Sequence, residues 1–345
     1  MVVDTITCCS MLKNGHQFYG TSATKFWTPF PLRFLTLFST YKSPAKYTTY
    51  WHREHKSKER LPVLFIHGIG VGLYPYANFL RDINIKNCYF GKMDDSVGVI
   101  AIEIMAVSSR LTYQALDKDV LVDEIKRILD HHGWSKCVLV GHSYGTVIST
   151  HLLKSPHTAP LLGPVVLVDP ICFLLHLPDV AYNFTARQPS HAKELVLWYF
   201  GSMDIRIAHT LGRRFFWTEN ILWKEDLELE DGYHDMTVLL SGNDDIVDVN
   251  AVRRYLPPTQ GTKHETRYGA ARTGTSDATN GLLELCAENG KDLEDNLMPL
   301  AGKGLKTVWL DGLHHGQAFE FGRTRGHLAQ IVRAYTNCGQ DGGRA

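Results

Sequence analysis

The stretch Gly141-His142-Ser143-Tyr144-Gly145 sets a hydroxyl between two glycines, and a serine in that setting can serve as a nucleophile. A serine hydroxyl is weak by itself. It needs a base to take its proton, a carboxylate to orient that base, and donors for the oxyanion that forms when a carbonyl is attacked. The flanking glycines permit the strained turn that lifts such a hydroxyl clear of the backbone. Five residues are also what a chance Gly/Ser turn offers, so the surroundings must decide.

The remaining parts occur downstream in the order acid, then base, that this chemistry takes on an open sheet. After the apolar run Thr237-Val238-Leu239-Leu240 comes Ser241-Gly242-Asn243-Asp244-Asp245-Ile246-Val247, with two adjacent carboxylates. Asp244 is the preferred acid and Asp245 the alternative; the aspartate left over is expected to stabilise the turn, which aspartate does well. Further on, Asp311-Gly312-Leu313-His314-His315-Gly316-Gln317-Ala318-Phe319 holds paired histidines, His314 and His315, as candidates for the base. Adjacent histidines can also suggest a metal, but no third ligand stands at workable spacing, so neither a metal nor any other cofactor is expected. For the oxyanion, one donor is the amide of Tyr144, which follows the nucleophile. The other comes from His67-Gly68-Ile69-Gly70, where Ile69 is preferred and Gly68 also qualifies.

These residues require strands to hold them. Val63-Leu64-Phe65-Ile66, Val97-Gly98-Val99-Ile100-Ala101-Ile102, Cys137-Val138-Leu139-Val140 and Val165-Val166-Leu167-Val168 are short apolar runs, the pattern of strands covered on both faces. Leu305-Lys306-Thr307-Val308-Trp309-Leu310 is a last strand before a helix to about Tyr335, and Thr48-Thr49-Tyr50-Trp51 an early one. Between Tyr113 and His132, Leu116, Val120, Leu121, Ile125, Ile128 and Leu129 recur at helical spacing, with Gly133 as a stop. Strands alternating with helices predict an α/β fold with a mostly parallel, doubly covered sheet. Two segments break the alternation. Residues 171–232 are rich in aromatic and aliphatic side chains and are expected to form a helical cap. Residues 257–280 are loaded with Gly, Thr, Ser and charge and read as a flexible surface insertion, followed by a helix-like pattern at 282–300.

The chain has 345 residues, with 36 Lys+Arg cancelling 36 Asp+Glu. Without net charge there is no long-range field to gather nucleic acid, and a small, fairly neutral partner fits better. The 7 cysteines are odd in number and include no Cys-x-x-Cys pair, which suits reduced thiols and an intracellular setting. No secretory signal pattern stands at the start. The most apolar N-terminal stretch, 26–38, is interrupted by Pro29, Pro31 and Arg33 and is far short of the ~20 residues that cross a bilayer. It is expected to pack over the body, peripheral membrane contact being the alternative.

With His67-Gly68, Gly141 to Gly145, Asp244 and the histidine loop in order, residues 46–336 resemble the α/β-hydrolase family. Residues 1–45 are then an N-terminal extension and 337–345 a tail. Phe65-Ile66-His67-Gly68-Ile69-Gly70, Ile102-Glu103-Ile104-Met105, His142-Ser143-Tyr144-Gly145-Thr146 and Leu177-Pro178-Asp179-Val180-Ala181-Tyr182-Asn183-Phe184 are similar to a fungal branch with members in toxin and secondary-metabolite pathways. That branch writes its acid as Asp-x-Ile-Val and its base as His-Ala-Gln-x-Phe, so the resemblance implies Asp244 and His315. Some toxin-pathway relatives end in a Ser-Lys-Leu-like peroxisomal tripeptide; this chain ends Gly343-Arg344-Ala345, and a cytoplasmic location is expected instead.

The expected activity is hydrolysis of an ester, thioester or lactone, and the aromatic cap predicts a hydrophobic small molecule as substrate. The competing readings are acyl transfer or lactone formation by the same triad, and a hydrolase fold kept as a ligand-binding protein. Oligomeric state is not legible in the sequence.

Overall fold

In the computed structural model, which describes residues 2–21, 30, 40–84, 96–229, 232–256, 266–268 and 304–337, the chain opens with α1 (Val2–Lys13), β1 (Gln17–Gly20), β2 (Thr40–Lys42) and β3 (Thr49–Arg53). The apolar runs then alternate with helices: β4 (Val63–Ile66), α2 (Ala77–Asp82), β5 (Val99–Glu103), α3 (Lys118–His131), β6 (Cys137–His142), α4 (Tyr144–Lys154) and β7 (Leu162–Val168). Next come α5 (Asp179–Thr185), α6 (Ala192–Leu197), α7 (Ile205–Arg214), α8 (Trp217–Asn220) and a small ribbon of β8 (Glu228–Leu229) with β9 (Gly232–Tyr233). The chain returns to the sheet with β10 (Met236–Ser241), α9 (Val249–Tyr255), β11 (Thr266–Tyr268), β12 (Leu305–Leu310) and α10 (Gly322–Asn337).

The main sheet has the order β11-β12-β10-β7-β6-β4-β5-β3-β1-β2. From β11 to β5 every neighbouring pair is parallel, and β3 turns antiparallel against β5. It is the α/β-hydrolase fold. Successive residues of a strand face opposite sides, and the core divides accordingly. Leu64, Ile66, Ile100, Ile102, Leu139, Leu167 and Leu240 meet α3 and α4 on one face, while Val63, Phe65, Val140, Val168 and Val308 meet α2 and α10 on the other. Burying each such side chain contributes roughly 1.5–3 kcal/mol, which is why these strands are apolar throughout and not alternating.

The chain runs from β4 to β5 on one side and then crosses back to β6 on the other, so strand order reverses around β4. On open α/β sheets ligand sites form outside the carboxyl ends of the strands at such a reversal. Ile66 lies opposite Gly141, bringing the turns that begin at His67 and Ser143 side by side.

Within residues 1–45, β1 and β2 extend the same sheet: Phe18 pairs with Trp51, and Cys8 and Met11 of α1 pack into the second core face. Of the apolar stretch 26–38 only Phe30 lies within the described residues, bridged to Leu111. Of the insertion 257–280 only β11 does, as a parallel edge strand on β12; the pattern at 282–300 and the tail after Asn337 lie outside them. Among the described residues no helix is long and apolar enough to cross a membrane.

Candidate active site

Ser143 sits between the last residue of β6 and the first of α4, at φ 51° and ψ −121°. A non-glycine residue with positive φ is strained, and here neighbouring packing enforces it. A Cβ added at Gly145 would come within 2.8 Å of the Ile66 carbonyl carbon and 2.9 Å of the His67 oxygen. One at Gly141 would meet the Gly145 oxygen at 3.1 Å. The two glycines let the turn press against the end of β4, and the serine between them absorbs the strain.

The Ser143 hydroxyl lies 2.8 Å from His315 Nε2, and His315 Nδ1 lies 2.7 Å from Asp244 Oδ2. A carboxylate only accepts, so Nδ1 carries the ring proton and Nε2 is left to accept from the serine. Gly316 follows the histidine at φ 77°, a left-handed turn that suits glycine. Burial by itself would lower the His315 pKa. The charge and hydrogen bond of Asp244 outweigh that and hold it above the ordinary value, with the Asp169 and Asp245 charges adding.

The two aspartates share the work differently from the expectation that one orients the histidine while the other stabilises the turn. Asp244 does both: Oδ1 accepts from the Ile246 and Val247 amides at 2.8 and 2.9 Å, and Oδ2 accepts from His315. Asp245 turns away and receives His314 Nδ1 at 2.8 Å. His314 and Asp245 thus pair with each other beside the Ser143–His315–Asp244 line, not within it.

Both oxyanion donors preferred in the sequence stand free of acceptors among the described residues. Among the described residues, neither the Ile69 nor the Tyr144 amide donates to another group. Gly68 is a correction: its amide donates to the Tyr76 hydroxyl at 3.2 Å, so it is already committed. Its glycine identity serves contact instead, because a Cβ there would lie 2.9 Å from Ser143 Cβ. His67 holds the loop, donating from Nδ1 to the Gly68 carbonyl at 2.7 Å and accepting the Ile104 amide on Nε2 at 2.9 Å.

One residue of the site escaped the sequence reading. Asp169 follows β7, is fully buried, and accepts the Ser241 amide on Oδ1 at 2.9 Å and the Gly316 amide on Oδ2 at 2.8 Å. It ties the acid strand to the histidine loop. Burial, with the Asp244 charge second, raises its pKa. The rule that selected Asp244, a carboxylate directly after a buried strand, also selects Asp169, and it was the available signal. Asp169→Asn keeps the size but retains one acceptor oxygen for two backbone donors. Leaving one buried amide unsatisfied costs about 1–3 kcal/mol, so thermal unfolding should show a midpoint lower by several degrees together with reduced kcat. An unchanged midpoint would show that neither loop depends on it.

Between β7 and the β8–β9 ribbon the chain forms the short helices α5 to α8. This segment is pinned to the site loops. Asn183 Nδ2 donates to the Ile246 carbonyl at 3.0 Å, Ser109 Oγ contacts the Phe200 carbonyl at 3.1 Å, and the Phe215 ring lies 6.2 Å from that of Tyr144.

Residues 63–315 match the model of a family described as the alpha/beta hydrolase family. No curated protein matches the chain in sequence. Among solved structures it is similar to a bacterial membrane phospholipase A described as a virulence factor, at 13% identity over 99% of this chain and 92% of that one, with a TM-score of 0.53. A putative lipase from Acinetobacter baumannii AYE gives 13% identity over 97% of each chain and a TM-score of 0.52. At such identity the likeness is one of fold.

Proposed function

The chain belongs to the alpha/beta hydrolase family, and from that premise we propose that it is a serine hydrolase cleaving an ester, thioester or lactone of a hydrophobic small molecule. The observation that carries the reading is the unbroken line Ser143 Oγ to His315 Nε2 at 2.8 Å and His315 Nδ1 to Asp244 Oδ2 at 2.7 Å. In this reading Ser143 Oγ attacks the acyl carbonyl as its proton passes to His315 Nε2, and Asp244 stabilises the imidazolium. The Ile69 and Tyr144 amides hold the oxyanion. The imidazolium then protonates the leaving group, and a water deprotonated by the same nitrogen releases the acid and restores the serine.

Support for an apolar substrate comes from the side chains packed around the nucleophile's neighbour. Ile69, Leu174, Val180, Leu197, Leu211 and Phe215 are half-buried and pack against the core cluster that includes Tyr144, and the Phe215 ring lies 6.2 Å from that of Tyr144. Aliphatic and aromatic walls near a few polar groups are the usual make-up of a small-molecule site. The similarity of the motif runs to a fungal branch of the family supports a role in secondary metabolism.

The test is a series of p-nitrophenyl esters from acetate to octanoate. Each methylene buried on an apolar wall contributes up to about 0.8 kcal/mol, so kcat/KM should rise at least about tenfold along the series. A flat or falling series overturns the hydrophobic acyl group. Ester turnover that depends on an added alcohol and yields only the exchanged ester would favour acyl transfer over hydrolysis.

A further inference from the structure

A second set of ligating side chains gathers where the cap meets the acid loop. His191 Nε2 lies 3.7 Å from Glu194 Oε1 and 3.8 Å from Asp245 Oδ1, and the three atoms all lie within 4.8 Å of one another. His191 immediately precedes α6 and Glu194 is in its first turn, one helical turn apart on the same face. Asp245 comes from the core loop after β10, so the set spans two parts of the molecule.

We propose that His191, Glu194 and Asp245 form a binding site for a divalent transition-metal cation of the zinc class, which clamps the cap to the acid loop. A tetrahedral ion with ligands at about 2.0–2.2 Å needs its donors about 3.3–3.6 Å apart, so the two histidine-to-carboxylate distances must close by a few tenths of an ångström and the two carboxylates, within 4.8 Å of each other, must be drawn to the same spacing by the ion. One imidazole with two carboxylates suits zinc; magnesium and calcium take oxygen donors. Three protein ligands leave a fourth position for water.

The surrounding contacts fit this role. Asp245 offers Oδ1 to the site while Oδ2 accepts from His314 Nδ1 at 2.8 Å, which fixes the carboxylate from behind. Glu194 Oε2 is held by the Ser190 amide and hydroxyl at 2.7 and 2.8 Å. The Arg187 guanidinium sits on Glu194 Oε1 at 2.5 Å and competes with the cation there, which keeps the affinity moderate. His191 is 43% exposed in its side chain, so the ring can turn onto an ion without disturbing the core.

The experiment titrates zinc into chelator-treated full-length protein against a chromogenic zinc indicator, with thermal unfolding followed in parallel. Wild type and Ser143→Ala should each bind one equivalent more than His191→Ala, and zinc should raise their unfolding midpoints but not that of His191→Ala. Glu194→Gln should weaken the same site at least about tenfold. Equal stoichiometry and affinity in wild type and His191→Ala would overturn the proposal, as would stronger stabilisation by magnesium or calcium than by zinc. Ser143→Ala removes the proposed nucleophile and leaves the cation site intact, so failure of one reading is distinguishable from failure of the other.

Discussion

Ser143→Ala is expected to lower kcat by about 10⁴–10⁶-fold and to abolish labelling by a fluorophosphonate probe, with the fold and unfolding midpoint essentially retained. The magnitude follows from the arrangement. Without Oγ, His315 Nε2 has no nucleophile to deprotonate, and the residual rate is what the Ile69 and Tyr144 amides and substrate binding supply. Alanine is the informative replacement because it keeps Cβ and therefore the strain at φ 51°. Glycine at 143 would relax that strain and mix a stability gain into the measurement. Persistent labelling of the alanine variant would remove Ser143 as the nucleophile, whatever the geometry of its neighbours.

The elements that carry the site were legible because of where they lie in the sheet. Strands β4, β5, β6, β7 and β10 are covered on both faces, so they must be apolar at successive positions, and such runs stand out against the polar loops. The edge is different. Gln17–Gly20 and Thr40–Lys42 are short and partly polar, carry no alternation long enough to read, and become strands through tertiary pairing, the first on β3 and the second on β1. Near the nucleophile, spacing and strand-end position picked out Ser143, the carboxylate pair and the histidine pair. They did not say which aspartate faces which histidine, because adjacent loop residues diverge by turns that depend on tertiary contacts. Asp244 is drawn inward by the Ile246 and Val247 amides, which leaves Asp245 to face His314 and His191. Asp169 shows the opposite failure. Its position was visible, but once one acid had been found nothing in the sequence demanded a second carboxylate bridging two loops.

The same geometry gives Asp244→Asn the second large effect, a fall in kcat of about 10⁴-fold. Oδ1 of Asp244 accepts two backbone amides, so the asparagine oxygen is retained on that side and its NH₂ group turns toward His315. An amide donor there forces Nδ1 to accept, which moves the ring proton to Nε2, the nitrogen that should take the serine proton. The pH profile changes as well. In wild type Asp244 holds the His315 pKa above its ordinary 6.5 against the opposing effect of burial, and the base works only when neutral. Activity is therefore lost as pH falls through a limb lying above 6.5. With the charge removed burial dominates, and the acid limb of kcat/KM should move downward. Asp245→Asn touches His314 instead, and its kcat should fall by less than about tenfold, with the limb moved much less. If Asp245→Asn proved the more damaging substitution, or if the limb stayed in place in Asp244→Asn, the acid would have to be reassigned, and Asp169, one oxygen of which lies within 4.8 Å of a His315 ring nitrogen, would be the next to substitute.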